Sequence, residues 1–138
     1  MKRVLVLCTG NSCRSQMAEG WLRLFGGDKI EVHSAGIEAH GLNPRAVTVM
    51  NEAGVDISSQ TSKTVDAVQG IEFDFVITVC DNALEQCPFF PAKSVTLHHD
   101  FPDPARATGS DEEIMLAFRS VRDQIKHYCQ AFVIQHLK

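Results

Sequence analysis

Residues 4–7 read Val-Leu-Val-Leu, and the next eight read Cys-Thr-Gly-Asn-Ser-Cys-Arg-Ser. An unbroken apolar run of this length is the pattern of a strand covered on both faces. A short polar loop carrying two cysteines follows it directly. From Ser15 to Phe25 the apolar residues Met17, Ala18, Trp21, Leu22 and Phe25 recur at three- and four-residue spacings, and Gly26-Gly27 stops the pattern. Strand, polar loop and helix in that order open a βαβ unit, which restricts the chain to folds built on a parallel sheet.

The remainder repeats the alternation. Lys29 to Ala35 predicts a second strand, and Asn43 followed by Pro44 predicts an N-cap and first helical position for a helix through Val47 and Met50 that ends near Gly54. Phe73 to Val79 predicts a third strand, Asn82 to Glu85 a short helix and Lys93 to Leu97 a fourth strand. Ser110-Asp111-Glu112-Glu113 is a capping box. It opens a long helix with the stripe Ile114, Ala117, Phe118, Val121, Ile125, Tyr128 and Phe132. The expected architecture is α/β: one domain over residues 1–138, with a four-stranded parallel sheet flanked by helices on both faces. A chain of 138 residues can bury a core without disulfide staples. Pro88–Pro91 and Pro102–Pro104 mark loops rather than boundaries.

Several function classes fall away. The net charge is −4 with no basic stripe, which argues against nucleic-acid binding. No apolar run approaches a membrane span. The N-terminal apolar stretch is too short for a secretory signal, so the expected location is the cytoplasm, where thiols stay reduced. Five cysteines, an odd number, do not make a disulfide framework. Neither Cys8/Cys13 nor Cys80/Cys87 has the tight spacing of a zinc knuckle, and His98-His99 lacks a helical ligand spacing. No metal and no cofactor is expected.

Open parallel sheets bind ligands beyond the carboxyl ends of their strands. The Cys8 loop, Cys80 and loop 98–109 all fall at that rim. Backbone amides curling into a helix N-terminus make an anion cradle, and Arg14 adds a planar fork for two oxygens of a tetrahedral oxyanion. Thr9, Gly10, Asn11, Ser12, Cys13 and Arg14 are the expected oxyanion-binding residues. Cys8 at the base of the cradle would have its thiolate stabilised, with a pKa in the range of about 3.5–7.5. Ser15 is placed to donate a hydrogen bond to that sulfur, and Asn11 to hold a left-handed turn. The bland alternative is a strand-to-helix turn with an inert buried cysteine, but Cys-x5-Arg at such a junction is far more specific than a lone cysteine.

Those residues carry a resemblance. Cys8-Thr-Gly-Asn-Ser-Cys13-Arg14-Ser15 is similar to the loop of the low-molecular-weight protein tyrosine phosphatases. The longer stretches "CTGNSCRSQMAEGW", "SAG" at 34–36, "DISSQTS" at 56–62, "VITVCDNALEQCP" at 76–88, "DPARA" at 103–107 and "FRSVRDQI" at 118–125 resemble the arsenate reductases built on the same fold. The resemblance spans essentially the whole chain. It implies that Cys8 attacks arsenate, that Cys80 then attacks Cys8 and releases arsenite, and that Cys87 attacks Cys80 to leave a disulfide for thioredoxin. It also implies Asp103 as the acid. Asp100 competes for that place but is not followed by proline. A phosphatase has no need of Cys80 and Cys87, whereas a reductase needs a two-electron dithiol.

Two departures stand out. Some arsenate reductases of this type hold potassium, which here would use Asn11, Glu19 and Ser34, but Lys63 stands where an aspartate is expected and its ammonium could replace the ion. His99-Asp100 stands where relatives carry tryptophan and glycine. Ala105-Arg106 replaces the aromatic residues that follow Asp-Pro in the phosphatase branch, which argues against phosphotyrosine. Cys13 is either a loop residue chosen for size or an oxidative trap for Cys8, and Cys129 is expected in the core. A phosphatase acting through a Cys8 phosphoenzyme and a non-catalytic anion-binding module remain as alternatives. A monomer is expected.

Overall fold

The architecture comes from a computed structural model that describes residues 1–80 and 94–137. Its four strands are all parallel in the order β2-β1-β3-β4. They are β1 (Lys2–Cys8), β2 (Ile30–Gly36), β3 (Phe75–Thr78) and β4 (Val95–His98). Val4, Leu5, Val6 and Leu7 are all fully buried, as the unbroken apolar run requires of a central strand with both faces covered.

Registered side chains in a parallel sheet share a face. Val4, Val6, Ser34, Phe75 and Ile77 lie on one face, where Phe75 meets Phe132 edge-on at 5.1 Å and Ser34 donates to Glu19. Those partners belong to the helices α1 (Arg14–Gly26) and α3 (Asp111–His136), and α2 (Pro44–Glu52) packs against both. The opposite face carries Leu5, Leu7 and His33. Among the described residues the 3-10 turn Val65–Val68 packs on β2 there, and Phe73 meets the His33 ring.

Local chemistry sets the ends of the elements. The Asn43 side chain accepts from the Arg45 and Ala46 N–H groups, with Pro44 at the first helical position. The capping box at Ser110 forms both of its reciprocal bonds. Along α3 the buried residues are Phe118, Val121, Ile125, Cys129 and Phe132, so Cys129 lies inside the apolar stripe and its thiol donates to the Ala18 carbonyl. Strand edges moved more than helix edges. Lys29 belongs to a 3-10 turn before β2, and β3 is four residues long rather than the seven expected for 73–79. Phe73 and Val79 are buried by the loops that contain them, and apolarity alone does not separate such positions from strand. The expected helix 82–85, Lys93 and Cys87 lie outside the described residues.

Candidate active site

The segment between β2 and α2 is laced to the Cys8 loop. Ile37 N–H donates to the Cys8 carbonyl at 3.2 Å, Glu38 to Thr9, His40 to Gly10 and Asn43 to Ser12, each of these three at 2.9 Å. The loop's carbonyls are thereby tied outward. Among the described residues, no protein acceptor takes the N–H groups of Gly10, Asn11 or Ser12, which remain available to an anion. Asn11 has φ of 48°, the left-handed conformation expected of it. Gly36 backs the loop so closely that a Cβ there would stand 2.8 Å from the Asn11 nitrogen and 2.3 Å from the Glu38 carbonyl.

Cys8 ends β1 and Cys80 follows β3 on the adjacent strand, so the sheet brings together two sulfurs separated by more than half the chain's length. The two thiols interact, and both are buried. The Thr9 hydroxyl lies 3.2 Å from the Cys80 sulfur. The hydrogen bond with Cys80 and then burial push the Cys8 thiol above its ordinary value, while Arg14 and the Thr9 N–H pull it down. A depressed pKa was the sequence expectation. The reversal comes from the second thiol beside it: ionising Cys8 removes the proton it shares with Cys80, and ionising both would put two negative charges in one buried space. Cys13 caps α1 without a side-chain bond to its backbone; its thiol points toward Asp103 at 3.9 Å, and burial raises its pKa.

Arg14 lies across the cradle at 8% exposure. One terminal nitrogen donates to the Phe101 carbonyl at 3.0 Å and the other stands 3.6 Å from Asp103, but its Nε is buried with no partner. A buried guanidinium N–H without an acceptor is costly, and an oxyanion in the cradle would supply the acceptor. Asp103 accepts from the Ala105 N–H and lies 3.8 Å from Arg106. A cavity of about 240 Å³ is lined by Cys8, Thr9, Gly10, Ser12, Cys13, Arg14, His40, Asp103, Ala105 and Arg106. A neighbouring one of about 300 Å³ shares Thr9, Arg14, Asp103 and Arg106 with it, and is lined by Cys80 and Asp100 as well. Cys8 thus faces one opening and Cys80 the other.

Beneath the loop, Asn11 donates to Ser15 at 2.8 Å and to Ser34 at 3.0 Å. Ser15 supports Asn11; the hydrogen bond expected from Ser15 to the Cys8 sulfur does not form. The Asn11 carbonyl oxygen accepts from Gln16 and from the Lys63 N–H, Glu19 accepts from Ser34 at 2.6 Å, and its other oxygen pairs with Arg23 at 2.7 Å. The donor set Asn11, Glu19 and Ser34 does not fit a potassium ion, because these oxygens already have protein partners. The Lys63 ammonium is attracted by Glu19 but forms no ion pair with it. It donates to the Thr61 carbonyl at 3.3 Å, and the cation against Glu19 is Arg23. Among the described residues, no group of three or more His, Cys, Asp or Glu side chains is arranged for a metal.

Residues 3–138 match the family described as low molecular weight phosphotyrosine protein phosphatase. The chain belongs to that family. Within it, the chain is 51% identical over 131 residues to the arsenate reductase of Halalkalibacterium halodurans and 50% identical over 131 residues to that of Bacillus subtilis, each covering 95% of this chain and 94% of the relative. Among solved structures it resembles an arsenate reductase in oxidized state (TM-score 0.85, 32% identity, 98% of each chain). It also resembles the low molecular weight protein tyrosine phosphatase of T. tengcongensis (TM-score 0.77, 26% identity, covering 98% of this chain and 99% of that one).

For this family member, sequence reasoning had already named every cavity-lining residue of the Cys8 loop, and Asp103, Ala105 and Arg106 besides. It missed Gln16 and Gln60, whose amides lock the loop's underside, Ser62, which donates to the Gly10 carbonyl, and His40. The only advance signal for His40 was its place two residues after Glu38 in a polar segment, and such a pair has no periodicity to mark it. No helix among the described residues is long and apolar enough to cross a membrane.

Proposed function

We propose that the protein reduces arsenate to arsenite, with Cys8 as nucleophile and Cys80 and Cys87 as a thiol-disulfide relay reset by thioredoxin. The observation that carries this reading is a second buried thiol, Cys80, which β1–β3 pairing sets beside Cys8 at an oxyanion cradle. A phosphoryl-transfer enzyme needs one thiol there, and a second one on the adjacent strand supplies the other electron source. The names of the relatives at about half identity point the same way.

The residues divide the work. The loop N–H groups and Arg14 hold three negative oxygens and orient arsenic over Cys8. Cys8 sulfur bonds to arsenic as one arsenate oxygen leaves as water, with Asp103 at the pocket wall as the acid for that oxygen. Cys80, oriented by Thr9, then attacks the Cys8 sulfur. The new S–S bond forms while the S–As electron pair goes to arsenic, which falls from the pentavalent to the trivalent state and leaves as arsenite. Cys87 next attacks Cys80, which frees Cys8 and leaves a Cys80–Cys87 disulfide for thioredoxin. Cys80 lines the second opening, so this exchange has an approach separate from the oxyanion pocket.

The test is arsenate-dependent NADPH oxidation with thioredoxin and its reductase, run beside hydrolysis of para-nitrophenyl phosphate. The wild type should consume NADPH only with arsenate present. Cys8→Ser should abolish both reactions, and Cys80→Ser should abolish only the reduction. Ester hydrolysis with no arsenate-dependent oxidation would assign the site to phosphate monoesters instead.

A further inference from the structure

The oxyanion pocket contains an element that neither the cradle's N–H groups nor the arginine supplies, a ring-nitrogen hydrogen-bond acceptor. His40 lines the cavity together with Cys8 and Arg14. Its backbone N–H is tied to the Gly10 carbonyl, which fixes the residue relative to the loop. Its Nε2 lies 2.6 Å from a Glu38 carboxylate oxygen. A ring nitrogen bonded to a carboxylate carries the proton, so in the neutral imidazole Nδ1 is the acceptor. That atom is turned to the loop, since a Cβ built at Gly10 would stand 2.3 Å from Nδ1, the closest contact there. Among the described residues nothing donates to Nδ1.

We infer that His40 Nδ1 accepts a hydrogen bond from a hydroxyl of the bound oxyanion, so that the pocket selects protonated tetrahedral oxyanions over fully deprotonated ones. This rests on the reading of the cavity as the arsenate site. Loop N–H groups and a guanidinium offer donors alone, and donors do not distinguish arsenate or phosphate from sulfate. At neutral pH the first two carry at least one proton and sulfate carries none. The carboxylate facing this cavity, Asp103, is engaged: one oxygen takes the Ala105 N–H and the Cys13 thiol, and the other faces Arg14 and Arg106. His40 thus presents an open ring-nitrogen acceptor to the anion's own hydroxyl, and Glu38 fixes which of its two nitrogens has that role.

The experiment measures binding of inorganic phosphate and of sulfate by calorimetry at neutral pH and fixed ionic strength. The proteins are the wild type, His40→Phe and His40→Asn, with melting temperature and arsenate KM recorded for each. The wild type should prefer phosphate. His40→Phe keeps the ring's bulk without the acceptor; it should weaken phosphate about tenfold, the order lost with one hydrogen bond to a charged group. It should raise arsenate KM in step and leave sulfate nearly unchanged. Asn places an amide oxygen near the Nδ1 position and should retain most of the preference. Equal losses for both anions, or no loss for phosphate, would overturn the assignment to His40 alone. A wild type that binds neither anion would overturn the oxyanion pocket itself.

Discussion

Cys8, the nucleophile of the proposed reaction, has a neighbour that restrains it. Its hydrogen bond with Cys80 is the foremost reason its thiol stays protonated to higher pH, ahead of burial. The sign of the consequence is clear: removing that bond moves ionisation to lower pH. Cys80→Ala should therefore shift the pH midpoint of Cys8 alkylation by iodoacetamide downward, while Cys80→Ser, which keeps a hydrogen-bonding atom, should shift it less. An unchanged midpoint in Cys80→Ala would mean that burial alone sets Cys8's acidity. Arg14 is held to a planar role by Phe101 and Asp103, with Nε left over for the anion. Arg14→Lys keeps the charge but loses the fork, and should weaken inorganic phosphate by tenfold or more in the same calorimetry. The placement of Cys8, Asn11 and Arg14 was legible in the sequence because all three sit within one loop. The restraint on Cys8 was not, because its source is 72 positions away and becomes a neighbour only through β1–β3 pairing.

At the scale of elements, the cradle depends on a second segment that holds its carbonyls. Residues 37–43 take four of them, and Gly36 allows the approach. Gly36→Ala would force a methyl into backbone on both sides, so it should cost about 1–3 kcal/mol and lower Tm by several degrees in thermal unfolding. It should also weaken phosphate binding, because the displaced atoms include the Asn11 nitrogen. Ser110→Ala removes the capping box of α3 at a residue that lines neither cavity. A loss of about 1 kcal/mol with phosphate affinity unchanged is the expected contrast, and equal anion affinities in wild type and Gly36→Ala would show that the lacing does not shape the site. The capping box, the Asn43-Pro44 start and the α3 stripe were visible beforehand since caps and helical periodicity are local. The limits of β3 were not, since buried loop residues such as Phe73 are as apolar as strand residues.

Across the whole molecule, the parallel sheet places at one rim a loop from β1, a thiol after β3 and an acid loop after β4, and this convergence was readable from topology alone. The network under the loop was not. The sequence suggested Lys63 as a substitute for potassium, whereas folding pairs Glu19 with Arg23 and completes Asn11 with Gln16 and the Lys63 backbone. Melting temperatures in potassium and sodium salts at equal ionic strength should accordingly agree. Selective stabilisation by potassium would reveal an ion binding to the folded state and contradict the closed network. The central claim is that Cys8 and Cys80 together reduce the bound oxyanion. Its most direct measurement is a single turnover of Cys87→Ser with arsenate and no thioredoxin, followed by arsenite quantification and peptide mapping of disulfides. The account predicts one arsenite per protein molecule and a Cys8–Cys80 disulfide. Formation of arsenite with Cys80 still a free thiol, or no arsenite at all, would contradict it.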